Sequence, residues 1–457
     1  MIDLDDYSWL TDRETAVWLQ KLAHDSRPVH QQLTQLRKQL STTRAQLLVQ
    51  QTTLRQRAVS KFGPWAKQMF FTEIGLQQAT DRWLSTYKAI RFQPASSVHD
   101  LCCGIGGDLI GLATRHEQTV ERRSSLDGDA NRLALGWDLA PHMVLLAAAN
   151  LRNIFGNGIL ENNSLENVAK EKDNEKYNSD QIAIAQLGDV ESLSLPLGAM
   201  WHLDPDRRPQ GRRSTHVELH RPGPEMVTRL LKTHPSGAVK LAPACQVPAD
   251  WEKSAELEWI SRDRECRQLV AWFGNLTTHP GKRRATLLVP PQMPSSESVA
   301  QDKSDPRPDH WIAHSFVGQA GLLLPTAPQL GKYLYDPDSA VLAANLLGEL
   351  ANQHGLATLV PNGAYLTSDH PIDHPLLARF IVLEQIPLRI KPLAKYLSSC
   401  DIGSLEIKKR GVKLNPSTLR RQLKLRGSQS ATLILARLGQ REVAILAQRQ
   451  AQPNDSK

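Results

Sequence analysis

The period of the apolar positions changes once along this chain, near residue 92. Before that point leucines recur every three or four residues, as in Leu33, Leu36, Leu40 and Leu47, with Gln, Arg and Thr between them. That spacing lines one face of an α-helix. It predicts a helical stretch over Arg13–Arg57, ending near Gly63-Pro64, and a second over Glu73–Ile90. Beyond residue 92 short apolar runs alternate with helical ones. The runs fall at Val98–Leu101, at Leu126, at Gln181–Asp189, at Met200–Leu203 and at Ser236–Cys245, the last with Lys240 near its end. Strands and helices in alternation predict a parallel sheet covered on both faces. Glu256–Gly274 and Arg283–Pro290 then read as an antiparallel pair closing its edge.

Polar stretches punctuate this pattern. Glu161–Asp180 reads as a surface loop, and Pro290–His310, rich in Pro, Ser and charge, reads as a linker. From Arg389 to Arg426 eleven Lys and Arg residues face only Asp401 and Glu406, and the strand-like runs ATLILARL and EVAILAQR follow. The predicted organisation is a helical region over 1–92, an α/β domain over 93–290, a linker over 291–312 and a basic α+β unit over 313–457.

Composition narrows the function classes. A chain of 457 residues is too long for one compact core. Its five cysteines form neither C-x-x-C pairs nor a histidine-flanked ligand pattern, so no metal site and no disulfide framework is expected, and a reducing cytoplasm is. The N-terminus, MIDLDDYSWLTDRE, is acidic rather than the basic-apolar start of a signal peptide, and no apolar run is long enough to span a bilayer. The net charge of +8 suits a polyanionic partner without requiring one.

The candidate chemistry follows the strands. VHDLCCGIGGDL, Val98–Leu109, runs from an apolar strand through glycines at Gly104, Gly106 and Gly107 into a helix start, where the backbone can approach a nucleotide-like ligand closely. A carboxylate at the end of the second strand can accept both hydroxyls of a ribose, which assigns that role to Asp127; Asp-Gly-Asp also reads as an ordinary turn. Asp189, ending the third strand, is placed to meet an adenine amino group. In MWHLDPDRRPQGRR, Asp204-Pro205 ends the fourth strand, the edge at which open α/β sheets bind ligands. Arg207, Arg208, Arg212 and Arg213 either grip phosphates or form a solvated basic loop. Lys61–Thr72 concentrates aromatic and basic residues, and Phe71 is its candidate for stacking on a base. Lys408, Lys409 and Arg410 are the candidate nucleic-acid contacts of the basic unit.

These segments together resemble a known family. D-x-x-x-G-x-G at Asp100–Gly106 resembles the first motif of class I S-adenosylmethionine (SAM) methyltransferases. The chain as a whole resembles the bacterial members that carry a C-terminal THUMP-like domain, through KFGPWAKQMFFTEIGLQQATDR, DLCCGIGGDL, HLDPDRRPQGRR, YLYDPDSAVLAANL and SLEIKKRGVKLNPSTLRRQLKLRG. The glycine turn is also similar to that of trimethylguanosine synthases, with Asp108 where that family usually has Asn. The resemblance implies a Rossmann-like class I sheet with an N-terminal helical region and a C-terminal α+β THUMP-like domain. It implies SAM at Asp100, Cys102, Gly104, Gly106, Asp127 and Asp189, with Cys102 standing for the first glycine of the commoner motif. It places the catalytic pair at Asp204 and Pro205, where amino-methyltransferases carry Asp or Asn, Pro, Pro and an aromatic; this chain has Asp206 and Arg207 at the last two positions. The expected reaction is methyl transfer to RNA. A protein or small-molecule acceptor, or an RNA-binding protein that keeps the fold without catalysis, are the readings left beside it.

Overall fold

The computed structural model describes residues 2–95, 97–115, 133–156, 183–208, 214–290, 311–361, 363–438 and 441–450. The N-terminal region is helical as expected: α1 (Leu4–Thr11), α2 (Ala16–Ala23), α3 (Val29–Leu36), α4 (Thr42–Phe62), α5 (Glu73–Gln78) and α6 (Arg82–Ala89). Short polar side chains start them, Asp3 accepting from the Asp6 N–H, Ser41 from Arg44 and Asp81 from Leu84. Gly63, with φ of +53°, ends α4 at the predicted glycine-proline step.

The sheet that follows has nine strands in the order β3-β2-β1-β4-β5-β7-β6-β8-β9. They are β1 (Ser97–Leu101), β2 (Leu133–Asp138), β3 (Ala183–Leu187), β4 (Met200–Leu203), β5 (Gly237–Leu241), β6 (Glu256–Arg262), β7 (Glu265–Phe273), β8 (Arg283–Val289) and β9 (Ile312–Gly318). The first five are parallel, and β7 runs antiparallel to β5. Helices α7 (Gly107–Ala113), α8 (Pro141–Phe155), α9 (Pro224–Thr233) and α10 (Ala249–Ser254) join them. The reversal of strand order beside β1 opens the crevice in which such sheets bind ligands.

Three expectations are corrected here. The second strand is Leu133–Asp138 rather than one ending at Asp127, which lies outside the described residues, as does the loop at 161–180. The burial of Leu133, Ala134, Leu135 and Gly136 gives the reason: a strand flanked on both sides needs an apolar run, and arginines at 122 and 123 do not supply one. The edge is a β6/β7 hairpin with β8 parallel to β6, not a simple antiparallel pair. And β9, expected to open the C-terminal unit, pairs with β8 along its whole length, from Val289 opposite Ile312 to Arg283 opposite Gly318.

The second sheet has the order β11-β12-β10-β13-β16-β15-β14. Its strands are β10 (Tyr333–Pro337), β11 (Ala357–Thr358), β12 (Leu366–Ser368), β13 (Leu377–Pro387), β14 (Ile402–Lys409), β15 (Gln429–Leu438) and β16 (Arg441–Arg449). Helices α11 (Ser339–Ala343) and α12 (Leu347–His354) follow β10, and α13 (Ile390–Ser399) and α14 (Pro416–Leu423) cover one face. The α+β character expected of this unit is present. Among the described residues no helix is long and apolar enough to cross a membrane, and no group of three metal-ligating side chains gathers.

One buried amide locks the helical region to the sheet. Asn150 of α8, fully buried, accepts from the Phe70 N–H at 2.6 Å and donates to the carbonyls of Phe70 at 3.1 Å and Ile105 at 2.9 Å. Removing it orphans three buried backbone groups, each expensive to leave unpaired. Asn150→Ala is therefore expected to cost about 2–4 kcal/mol, read as a lower urea midpoint at unchanged slope; a loss below about 1 kcal/mol would show that water replaces the amide.

Candidate functional site

β1 delivers the chain into the glycine turn. Gly104 and Gly106 have φ of +55° and +88°, and a Cβ at Gly104 would meet no atom within 4 Å, so the backbone there faces open space. Only glycine takes such angles without cost. Cys102, at φ of +67°, does take one with a side chain, a strain of about 1 kcal/mol or more. Burial pushes the Cys102 and Cys103 thiols up, so neither is a thiolate nucleophile at neutral pH. The turn is held from β2: the Gly104 N–H donates to Asp138 Oδ2 at 2.8 Å, and Ala140 N–H donates to Asp138 Oδ1 at 2.9 Å. Asp138 thus occupies the strand-end position expected of Asp127. Leu139, next to it, is 72% exposed. Asp189 lies two residues beyond β3, exposed, accepting from the Glu191 N–H at 2.9 Å.

Beneath the turn runs a chain of buried ionisable side chains. Asp100 Oδ1 is 2.7 Å from His202 Nδ1, and His202 Nε2 is 3.2 Å from Lys88 Nζ. Lys88 is 2.6 Å from Asp108 Oδ1, Asp108 Oδ2 accepts from Thr80 Oγ1 at 2.6 Å, and Lys240 Nζ lies 3.6 Å from Asp108 Oδ2 and 2.6 Å from Asp204 Oδ2. An ammonium has no lone pair, so a charged Lys88 requires the bare nitrogen of His202 at Nε2 and the proton at Nδ1, donated to Asp100. Burial pushes the Asp100 carboxyl up and Lys88 down. For Asp108 burial is outweighed by the Lys88 and Lys240 ammoniums, which hold it well below the usual carboxylate range. Asp100 Oδ2 is buried with no partner.

Asp204 and Pro205 stand at the end of β4, the Asp204 N–H donating to the Leu101 carbonyl at 3.1 Å. The next residues fold back: Asp206 and Arg221 exchange two backbone hydrogen bonds, and Ser214 N–H reaches the Arg207 carbonyl. Arg208 Nη1 donates to Gln77 Oε1 at 3.2 Å, while the half-buried Arg207 guanidinium makes no hydrogen bond among the described residues. Arg212 and Arg213 lie outside those residues.

Two groups of expected substrate contacts are placed differently. Phe71 is 1% exposed, its ring 5.7 Å from that of Phe62, and Gln51 brackets its backbone, so it is core and offers no face to a base. Lys408 Nζ lies 2.9 Å from Asp336 Oδ2, and Arg410 Nε donates to Asp336 Oδ1 at 2.9 Å. Of the three expected basic contacts only Lys409 is exposed.

Comparison with known proteins settles the family. Over 408 residues the chain is 30% identical to proteins of Mycobacterium tuberculosis strains CDC 1551 and H37Rv that are named uncharacterized S-adenosylmethionine-dependent methyltransferases, covering 87% of this chain and 94% of theirs. The chain belongs to the SAM-dependent methyltransferases. A crystal structure of a protein assigned as a methyltransferase from Porphyromonas gingivalis W83 shares the fold, with a TM-score of 0.66 at 18% identity, over 99% of this chain and all of that one. The THUMP domain-like family model matches residues 377–449, that is β13 to β16 with α13 and α14.

The cofactor of this methyltransferase is SAM, and the turn fits it. Gly104 leaves open space beside the backbone, Asp100 Oδ2 is unpartnered, and each Asp138 oxygen, engaged once, keeps a lone pair for a hydroxyl. Sequence reasoning missed Asp138, Lys88 and His202. The last two carried a signal: each is a basic or polar residue inside a run whose neighbours are buried.

A histidine behind the turn titrates. His99 of β1 accepts the Trp137 indole N–H at 3.1 Å and stacks on that ring. Burial, helped by His234, pushes it down to about 4, against about 6.5 in an unfolded chain. Between those values the unfolded state binds the extra proton, so stability falls as pH drops through the window. His99→Asn keeps an acceptor for Trp137 and removes the titration. The unfolding free energy should then fall less steeply than in the wild type between pH 6.5 and 4, by up to about 3 kcal/mol in total; parallel curves would deny His99 this role.

Proposed function

We propose that this methyltransferase modifies RNA in the cytoplasm, with the THUMP-like unit holding the RNA and Asp204-Pro205 presenting the acceptor. The observation that carries the reading is the exposed basic surface on and around α14: Lys413, Arg420, Arg421, Lys424 and Arg426, with Lys409 nearby and Lys391 and Lys395 on α13. Such a surface binds a polyanion by releasing its counterions. The compartment is supported by five cysteines that are all free thiols.

At the turn, Gly104 and Gly106 admit the cofactor, with Cys102 shaping the approach. Asp138 takes the ribose role first given to Asp127, Asp189 faces the adenine amino group and Leu139 offers an apolar wall. Asp100 closes the floor. When bound, SAM supplies an activated methyl group on a good leaving group, so the protein's share is placement. Asp204 orients the acceptor through its carboxylate, Pro205 stiffens the strand end, and Arg207 and Arg208 take a neighbouring phosphate.

Radiolabelled SAM, offered with extracts of cells lacking the protein, should label the RNA fraction; label confined to protein or small molecules would overturn the RNA reading. Asp204→Ala should reduce transfer at least 100-fold with the SAM Kd within about three-fold. Asp138→Ala should raise that Kd about ten-fold or more, the scale of losing hydrogen bonds to both hydroxyls. Calorimetry decides between the two sites, and the opposite pattern would reverse their assignment.

The basic surface has its own test. Replacing Lys413, Arg421, Lys424 and Arg426 with Gln should weaken RNA binding and make its logarithmic salt slope shallower by about two to three. Replacing Lys408 and Arg410 should instead lower stability, because Asp336 is left buried without its cations. Equal salt slopes in wild type and the four-site variant would remove the surface from the proposal.

A further inference from the structure

Lys240 is the next-to-last residue of β5 and is buried to 8% exposure, an unusual setting for a lysine. Its ammonium donates to Asp204 Oδ2 at 2.6 Å and to the Gln78 carbonyl at 3.4 Å, with Asp108 Oδ2 at 3.6 Å. Burial pulls its pKa down, but the carboxylates of Asp204 and Asp108 raise it above the ordinary lysine value, so it remains charged. Asp108 already has Lys88 as a counter-ion. Charge balance around Asp108 therefore does not by itself call for Lys240. What Lys240 adds is a grip on Asp204, the one member of the chain whose side chain is a quarter exposed, at 26% against 9% for Lys240 and 7% for Asp108.

A free carboxylate turns easily about its last torsion. With Oδ2 held by an ammonium backed onto Gln78 and Asp108, the other oxygen is fixed as well, and Asp204 Oδ1 makes no hydrogen bond among the described residues. We propose that Lys240 is a positioning residue for methyl transfer, fixing Asp204 so that its free oxygen accepts the N–H or O–H of the acceptor atom and passes that proton on to water as the acceptor's lone pair bonds the methyl carbon and the donor's carbon–sulfur bond breaks. This rests on the reading that Asp204 meets the acceptor. It narrows the acceptor to an atom that carries hydrogen, an amino or imino nitrogen or a hydroxyl oxygen, since a nucleophile without hydrogen would meet only repulsion from that oxygen.

The test compares full-length Lys240→Met, Asp204→Asn and the double variant. Each is measured for transfer of label from saturating SAM to RNA of cells lacking the protein, for SAM Kd and for melting temperature. Lys240→Met should slow transfer about 10- to 100-fold with SAM Kd within three-fold. In the Asp204→Asn background the same change should alter the rate less than two-fold, because a residue that acts through Asp204 has nothing left to position. Lys240→Arg, which keeps the donor, should recover part of the rate. The double variant removes one charge of each sign and leaves Asp108 paired with Lys88, so it reports even where Lys240→Met alone does not fold. Equal fold losses in both backgrounds, or a Lys240→Met rate within two-fold of wild type, would overturn the proposal. Should the wild type label protein or small molecules instead of RNA, the RNA reading falls and the same comparison is made in that fraction. Labelling only of acceptors whose methylated atom bears no hydrogen would overturn the assignment of a hydrogen-bearing acceptor alone.

Discussion

The pairing of Asp108 with Lys88 and Lys240 is the constraint around which the methyltransferase domain is assembled. Each of these side chains would be costly to bury alone, and together they come from α7, α6 and β5. The glycine turn's helix is thus fastened to the last N-terminal helix on one side and to the ligand-binding edge of the sheet on the other. His202 extends the chain to Asp100 at the end of β1, and Lys240 extends it to Asp204 at the end of β4. Displacing α6 would strand a carboxylate in the interior. The N-terminal helices are for that reason part of the catalytic domain rather than an appendage to it.

Other contacts repeat this logic farther out. Asn150 fastens the segment after α4 to the glycine turn through backbone groups alone. Asp336 does comparable work in the second sheet, where Lys408 and Arg410 at the end of β14 reach across to β10. Three strands separate β10 from β14 in the sheet order, which at about 4.8 Å per step is farther than a side chain spans. The sheet must curl to bring them together. The ion pair therefore closes a strongly curved sheet, and the apolar residues Leu334, Phe380, Ile434 and Ile445 pack together within it.

Much of this was legible in the sequence, and the parts that were not share a cause. The helical N-terminus, the strand into the glycine turn, the strand ends at Asp189 and Asp204 and the basic C-terminal unit follow from local periodicity and turn chemistry. Composition singles out Phe71 as a stacking candidate, but the same composition fits a core aromatic, and only tertiary burial distinguishes them. Lys408 and Arg410 look available to a nucleic acid in the sequence because their counter-ion lies more than 70 residues away. Asp127 and Asp138 compete for the end of the second strand, and the choice turns on which preceding run is apolar enough to be flanked on both faces. The buried charges were visible only as interruptions, Asp108 in GDLIGLA, His202 in MWHL and Lys240 in GAVKL. Each breaks an apolar run that would otherwise be plain core.

The departure from Asp-Pro-Pro-aromatic at the fourth strand takes on physical meaning from this arrangement. An aromatic at that position would hold a base by stacking, a force with little directional demand along the plane of the ring. Here the position is Arg207, whose guanidinium has no partner among the described residues, and Phe71, the aromatic that the sequence offers from the N-terminal region, is shut inside the core. In the proposed function, orientation of the acceptor then falls to hydrogen bonds and charge, which are directional but only if the groups that make them are themselves held still. On that reading, Arg207 in place of the aromatic calls for a rigid carboxylate beside it. The buried chain behind Asp204, anchored through Lys240 and Asp108 to two helices and a strand, is the means by which this fold supplies one.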